Sequence, residues 1–190
     1  MADSATKKRT LAAAATDDAA ASDQPATRQK TGDAPALNAN ACLDPEHEGK
    51  GFKAVLELPP GALQGLREGV ADKILASLGI KTIGDLGRWK FYKLAKAIVV
   101  LSEVEEDGKR AKGCAANINH GLDKAYEQHT FKQLLEVQPS AFQGLADWTE
   151  AAFSQLRIHT IADLASWKYA RWAEALVEAA EFENETGGSA

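Results

Sequence analysis

The stretch GLREGVADKILASLGIKTIGDL, residues 65–86, decides how this chain is read. Val70, Ile74, Leu75 and Leu78 recur at helical spacing, and Asp72, Lys73 and Ser77 fall on the other face. Gly65 supplies a position where positive φ costs little, as a tight turn before the helix requires. Gly79 stands just past the last apolar position, where helices commonly close with a left-handed residue, and Ile80 packs back behind it. Thr82 and Asp85 form a Thr-x-x-Asp pair that caps the next helix and puts a negative charge in its first turn. The stretch predicts a glycine turn, an amphipathic helix, a second turn and a capped helix start.

Outward from this stretch, the chain repeats itself. Asn38, Leu43, Asp44, Phe52 and Lys53 return as Asn117, Leu122, Asp123, Phe131 and Lys132. Pro60, Gln64, Gly65 and Leu66 return as Pro139, Gln143, Gly144 and Leu145. Ile80, Thr82, Asp85, Leu86, Trp89 and Lys90 return as Ile158, Thr160, Asp163, Leu164, Trp167 and Lys168. A period of about 78 to 79 residues is too long for a solenoid unit and suits a small helical domain or half of one. Each copy predicts a short helix near Phe52–Leu58, a proline turn, the glycine-turn helix, a Thr-capped helix and a longer helix. Phe91, Leu94, Ile98 and Leu101 form the predicted apolar stripe of the long helix in the first copy, and Tyr169, Trp172 and Leu176 in the second. No stretch alternates as a strand does, so the expected class is all-α.

The segment resembles the helix-hairpin-helix family. Gly65, Leu66, Ala71, Leu75, Leu78, Gly79, Ile80, Thr82, Asp85 and Leu86 fall on that family's pattern, while Arg67 occupies the place of its second hairpin glycine. The resemblance implies two tandem helix-hairpin-helix-like repeats. In DNA-binding members the hairpin offers backbone N–H groups to a phosphate, which makes Gly65, Leu66 and Arg67, with Lys73, Lys81 and Lys90, the candidate phosphate or partner contacts of the first repeat. The second hairpin carries Asp147 where a phosphate would sit.

Composition sets the frame around these repeats. The chain has 190 residues, 45% apolar and 26% charged, as ordinary globular proteins do. Residues 1–37 hold almost no large apolar side chains and are expected to be a disordered Ala/Ser/Asp-rich tail, with Lys7, Lys8 and Arg9 as solvated charge. The expected layout is a first repeat with its linker over 38–116, a second over 117–184, and a tail over 185–190. The linker predicts a helix that runs past Glu105, bends near Gly108 and resumes from Asn117 to Glu127. No apolar run approaches the about 18 residues that span a bilayer. The N-terminus lacks the apolar core of a secretory signal, and organelle targeting by the tail is the alternative to a cytoplasmic location. Two cysteines, Cys42 and Cys114, do not make a disulfide framework.

The formal net charge is −5, which argues against a dedicated nucleic-acid binder. It is unevenly spread: residues 51–101 carry an excess of about four positive charges and residues 130–184 about four negative ones. Opposite charge on two copies of one motif suggests docking between repeats, self-association between chains, or different partners. Trp89 and Trp167 recur at one point of the repeat and read as core anchors. Trp148 and Trp172 lack a counterpart (Gly69 and Leu94 stand there) and are the candidate partner surface of the second repeat. Cys42 with His47 and Cys114 with His120 do not have zinc-finger spacing, so no metal or cofactor is expected. No phosphate loop, zinc-protease motif or nucleophile elbow is present. The expected role is a non-enzymatic interaction or scaffold protein, an accessory subunit of a larger assembly. The alternative is sequence-independent DNA or RNA binding through the basic first repeat.

Overall fold

The computed structural model describes residues 37–66, 69–108 and 113–184. Residues 1–36 of the expected 1–37 tail, the expected tail at 185–190, and Arg67 lie outside the described residues. Four helices, α1 Phe52–Leu56, α2 Val70–Ser77, α3 Ile83–Gly87 and α4 Lys90–Glu103, are followed in the same order by α5 Phe131–Leu134, α6 Thr149–Gln155, α7 Ile161–Ser166 and α8 Lys168–Glu181. Short 3-10 turns at Asn40–Cys42, Pro45–His47 and Pro60–Ala62 have counterparts at Asn119–Gly121, Lys124–Tyr126 and Pro139–Ala141. The protein is all-α, with no strand among the described residues. Lone antiparallel bridges, Leu43 to Leu63 and Leu122 to Phe142, tie the start of each half to its glycine turn. No described helix is long and apolar enough to cross a membrane.

Local chemistry accounts for the boundaries. The Thr82 hydroxyl accepts the Asp85 N–H at 3.0 Å, and Asp85 Oδ2 accepts the N–H groups of Lys81 and Thr82 at 3.0 Å each. Thr160 and Asp163 repeat the arrangement on α7. Backbone N–H donation, led by Lys81 for Asp85 and by His159 for Asp163, holds both carboxyls below their ordinary range. Asp72 ties the first glycine turn down, accepting the Gly61 N–H at 2.7 Å and the Gly69 N–H at 3.0 Å. α2 closes on Gly79 at φ 82°; α6 closes at the same point on Arg157 at φ 59°, the one non-glycine with positive φ among the described residues.

The two halves do not fold side by side. Each gives its long helix to the other. α8 packs along α3 and α1, while α4 packs along α7 and α5. One core therefore joins Leu63, Leu75 and Ile83 of the first half to Tyr169, Ala173 and Val177 of α8. The other joins Phe142, Phe153 and Ile161 of the second half to Phe91, Ala95 and Ile98 of α4. Reciprocal packing of this kind relates the halves by an approximate two-fold. Trp89 and Trp167 stand where the long helices leave their own halves, half-buried and packed against both cores.

The crossing of α3 with α8 depends on Gly87. A Cβ there would lie 2.4 Å from the Ala173 carbonyl oxygen and 2.7 Å from Val177 Cγ2. Only a residue without a side chain admits backbone this close. Two residues past the end of α8, the Glu183 carboxylate accepts the N–H groups of Phe52 and Lys53 at 2.6 and 2.8 Å, capping α1. Glu105 does the same for Phe131 and Lys132 of α5, at 2.9 Å each.

The linker differs from the sequence expectation. α4 stops at Glu103, and residues 117–127 form two 3-10 turns instead of a resumed helix. The reason is the cap: Glu105 must leave the helical path to reach α5. The long-helix stripe is also rotated. Of the expected stripe, Phe91 and Ile98 are buried and Leu94 is half-buried, while Leu101 is 42% exposed and Tyr92, Ala95 and Ser102 are buried instead, because α4 packs chiefly on α7 and α5 of the other half.

Candidate functional site: the glycine turns and the central groove

Gly65 adopts φ 84° and Gly144 φ 100°, so both turns need glycine for the same backbone reason. Each is faced by the first residues of the long helix from the other half. A Cβ on Gly65 would meet the Tyr169 hydroxyl at 3.3 Å and Lys168 Nζ at 3.8 Å; one on Gly144 would meet Phe91 Cζ at 3.6 Å. Lys168 Nζ sits 4.7 Å from the Tyr169 ring centre and 5.1 Å from that of Trp172. Lys90 Nζ sits 4.6 Å from the Phe91 ring centre. Each turn thus receives an aromatic ring with an ammonium held over it, a contact worth about 0.5–1 kcal/mol when exposed.

This crossing of partners reassigns the cations. Lys90, grouped by sequence with Gly65, belongs instead to the ring that packs on Gly144. Lys168 is the lysine beside Gly65. Lys73 and Lys81 are exposed and do not line the groove at this turn. That groove, about 620 Å³, runs between Gly65, Leu66, Val70 and Ile74 on one side and Arg157 and Lys168 on the other. Sequence reading missed Lys168 and Arg157. The one available signal was that the Trp-Lys pair recurs in both copies, without any indication that the helices cross over.

A larger groove, about 900 Å³, opens between α4, α7 and α8. Val99, Val100, Leu135, Ala162, Ala165 and Ala175 line it, with Lys96, Arg171, Asp163, Glu174 and Glu178 around them. At its floor Glu174 Oε2 accepts the Tyr92 hydroxyl at 3.0 Å and the Lys96 ammonium at 2.6 Å. Burial, then the adjacent carboxylate, push the Tyr92 phenol well above its ordinary pKa, so it acts as a fixed donor. Val100 is 53% exposed at the groove edge, and Val104, one turn further along the chain, is 75% exposed.

The tryptophans divide. Trp148 is 56% exposed at the start of α6. Trp172 is half-buried and lines a small apolar groove of about 370 Å³ with Cys42, Phe52 and Leu176. Burial pushes the Cys42 thiol up, away from the thiolate that nucleophilic chemistry requires. Among the described residues no three His, Cys, Asp or Glu side chains gather in a way that could hold a metal ion.

No family model matches the chain, and neither the curated proteins nor the solved structures yield a match.

Proposed function

We propose that the chain is a non-enzymatic, helix-hairpin-helix-like interaction module that seats an amphipathic helix of a protein partner, within a larger assembly, in the groove between α4, α7 and α8. The observation that carries this reading is the groove itself: the apolar side chains of Val99, Leu135, Ala162 and Ala165 in its lining, charges of both signs around them, and Val100 half-exposed at its edge. Helix-in-groove recognition uses this combination, apolar residues for affinity and rim charges for register. A photo-crosslinking residue at Val100 of the full chain, compared with one at exposed Lys73, tests it in the native host. A discrete adduct at 100 that disappears with Ala162→Arg supports the groove. Equal labelling from both positions removes it.

A second reading rests on a separate observation. Gly65, Arg157 and Lys168 line one groove, so the first glycine turn has two cations to offer a phosphate backbone. This supports sequence-independent DNA or RNA binding. A labelled duplex and a labelled single strand are titrated at about 50 mM and about 200 mM salt. Binding that falls steeply with salt and weakens with Lys168→Ala makes this the main activity. An absence of binding at the lower salt leaves the turns as structure.

A further inference from the structure

We propose that the two halves are an obligate pair specified by charge: cut apart, the half carrying α4 binds the half carrying α8 one-to-one, neither half pairs with itself, and Lys96 and Glu174 are the selectivity residues. The partner for each half's recognition surface is the complementary half, and this holds whatever occupies the central groove.

Three observations lead here. First, each half lacks a complete core of its own, since the faces of α4 and α8 that are buried are buried against the other half. Second, Lys96 and Glu174 are equivalent positions 78 residues apart, yet they form a 2.6 Å ion pair. Equivalent residues that touch straddle the two-fold. Self-pairing of the first half would set Lys96 against Lys96, and of the second half Glu174 against Glu174, with no Tyr92 hydroxyl to bind it. The rest of the long helices follows suit: α4 carries Lys90, Lys93 and Lys96 against Glu103, whereas α8 carries Glu174, Glu178 and Glu181 against Lys168 and Arg171. Like charges placed together disfavour the wrong pairing.

The third observation is steric and independent of charge. Gly87 of α3 lies against the Ala173 carbonyl, and its equivalent on α7 is Ala165. A self-pair of the second half would put the Ala165 methyl group against the Ala173 carbonyl, where the α3–α8 crossing as it stands has no room for a side chain. The second half could replace the first there only by opening that crossing to the wider spacing that Ala165 has on α4. The unequal charge of the repeats is thus an internal address.

The test uses the full chain with a specific protease site inserted between the exposed residues Gly113 and Cys114. After cleavage the two fragments are expected to elute together at the mass of one chain with undiminished helicity. After unfolding in urea, the mixture is expected to recover that helicity, and either fragment refolded alone is not. In the cleaved protein, Lys96→Glu or Glu174→Lys is expected to weaken reassociation about tenfold. The double reversal Lys96→Glu/Glu174→Lys is expected to return it to within about threefold of the parent, the sign of direct coupling. Fragments that separate and stay helical, a helical homodimer of either fragment, or a double reversal no better than the singles would overturn the proposal.

Discussion

The Glu183 carboxylate holds the Phe52 N–H at 2.6 Å across 131 residues of chain, so the end of the last helix caps the start of the first. α1 has five residues and no side-chain cap of its own from Gly51. Glu183→Ala leaves two N–H donors without this partner and is expected to lower stability by about 1–2 kcal/mol. Glu105→Ala, its counterpart on α5, is expected to cost a similar amount, and urea unfolding of the two single variants and the double checks both. A double variant whose loss far exceeds the sum would show that the two caps act as one unit.

Gly87 sets the α3–α8 crossing. Gly87→Ala is expected to destabilise by about 1–3 kcal/mol, because backbone on both sides must move to admit one methyl group. Gly79→Ala is the comparison: nothing lies within 4 Å of its Cβ position, so only the cost of φ 82° applies. Thermal unfolding should rank Gly87→Ala below the parent through packing and Gly79→Ala through backbone strain alone. Restoring room opposite Gly87→Ala with Val177→Ala should recover part of the first loss and none of the second.

Arg157 occupies with φ 59° the position that Gly79 holds in the first half. A non-glycine residue in the left-handed region carries strain of about 1 kcal/mol. Arg157→Gly is therefore expected to raise the melting temperature by about 2–4 °C. If the groove at Gly65 takes phosphate, the same variant also loses duplex affinity at low salt, so stability and binding move in opposite directions.

Acid sensitivity follows from Asp85 and Asp163. Both carboxyls are held below their ordinary range by the N–H groups they cap, so the folded state favours the ionised form. Their contribution is fully present well above the ordinary carboxylate pKa, at about pH 5 and higher, and is lost progressively as pH falls through that value and the lowered ones, where the unfolded chain binds more protons. The urea midpoint is expected to fall between about pH 5 and pH 3, and Asp85→Asn/Asp163→Asn is expected to flatten that fall while lowering the midpoint at neutral pH.

How far each residue could be read in advance depends on how local its partners are. The Thr82–Asp85 and Thr160–Asp163 caps, the glycine turns and the repeat itself were all legible, because their partners lie within a few residues or at a fixed period. Trp89 and Trp167 read as core anchors; they are half-buried, and nothing local says that each packs on both cores. Lys90 was assigned to the wrong turn for the same reason, since nothing in the spacing says that α4 crosses to the second half. Leu101 fitted a helical stripe and is nonetheless partly exposed, because the apolar pattern of α4 serves a surface far away in sequence. Glu105 and Glu183 cap distant helices, which nothing in their neighbouring residues indicates.

The sequence by itself determined the helical class, the duplicated order of elements and the glycine and threonine positions that start and stop them. These depend on backbone conformation and on hydrogen bonds between near neighbours, which residue type controls directly. Only the tertiary structure decided that the long helices change places, that Lys168 and not Lys90 faces Gly65, and that the opposed charges of the repeats meet at Lys96 and Glu174. Those outcomes depend on which apolar surfaces find each other across the chain. Either arrangement of α4 and α8 satisfies the same local rules, and packing at contacts such as Gly87 on Ala173 selects between them.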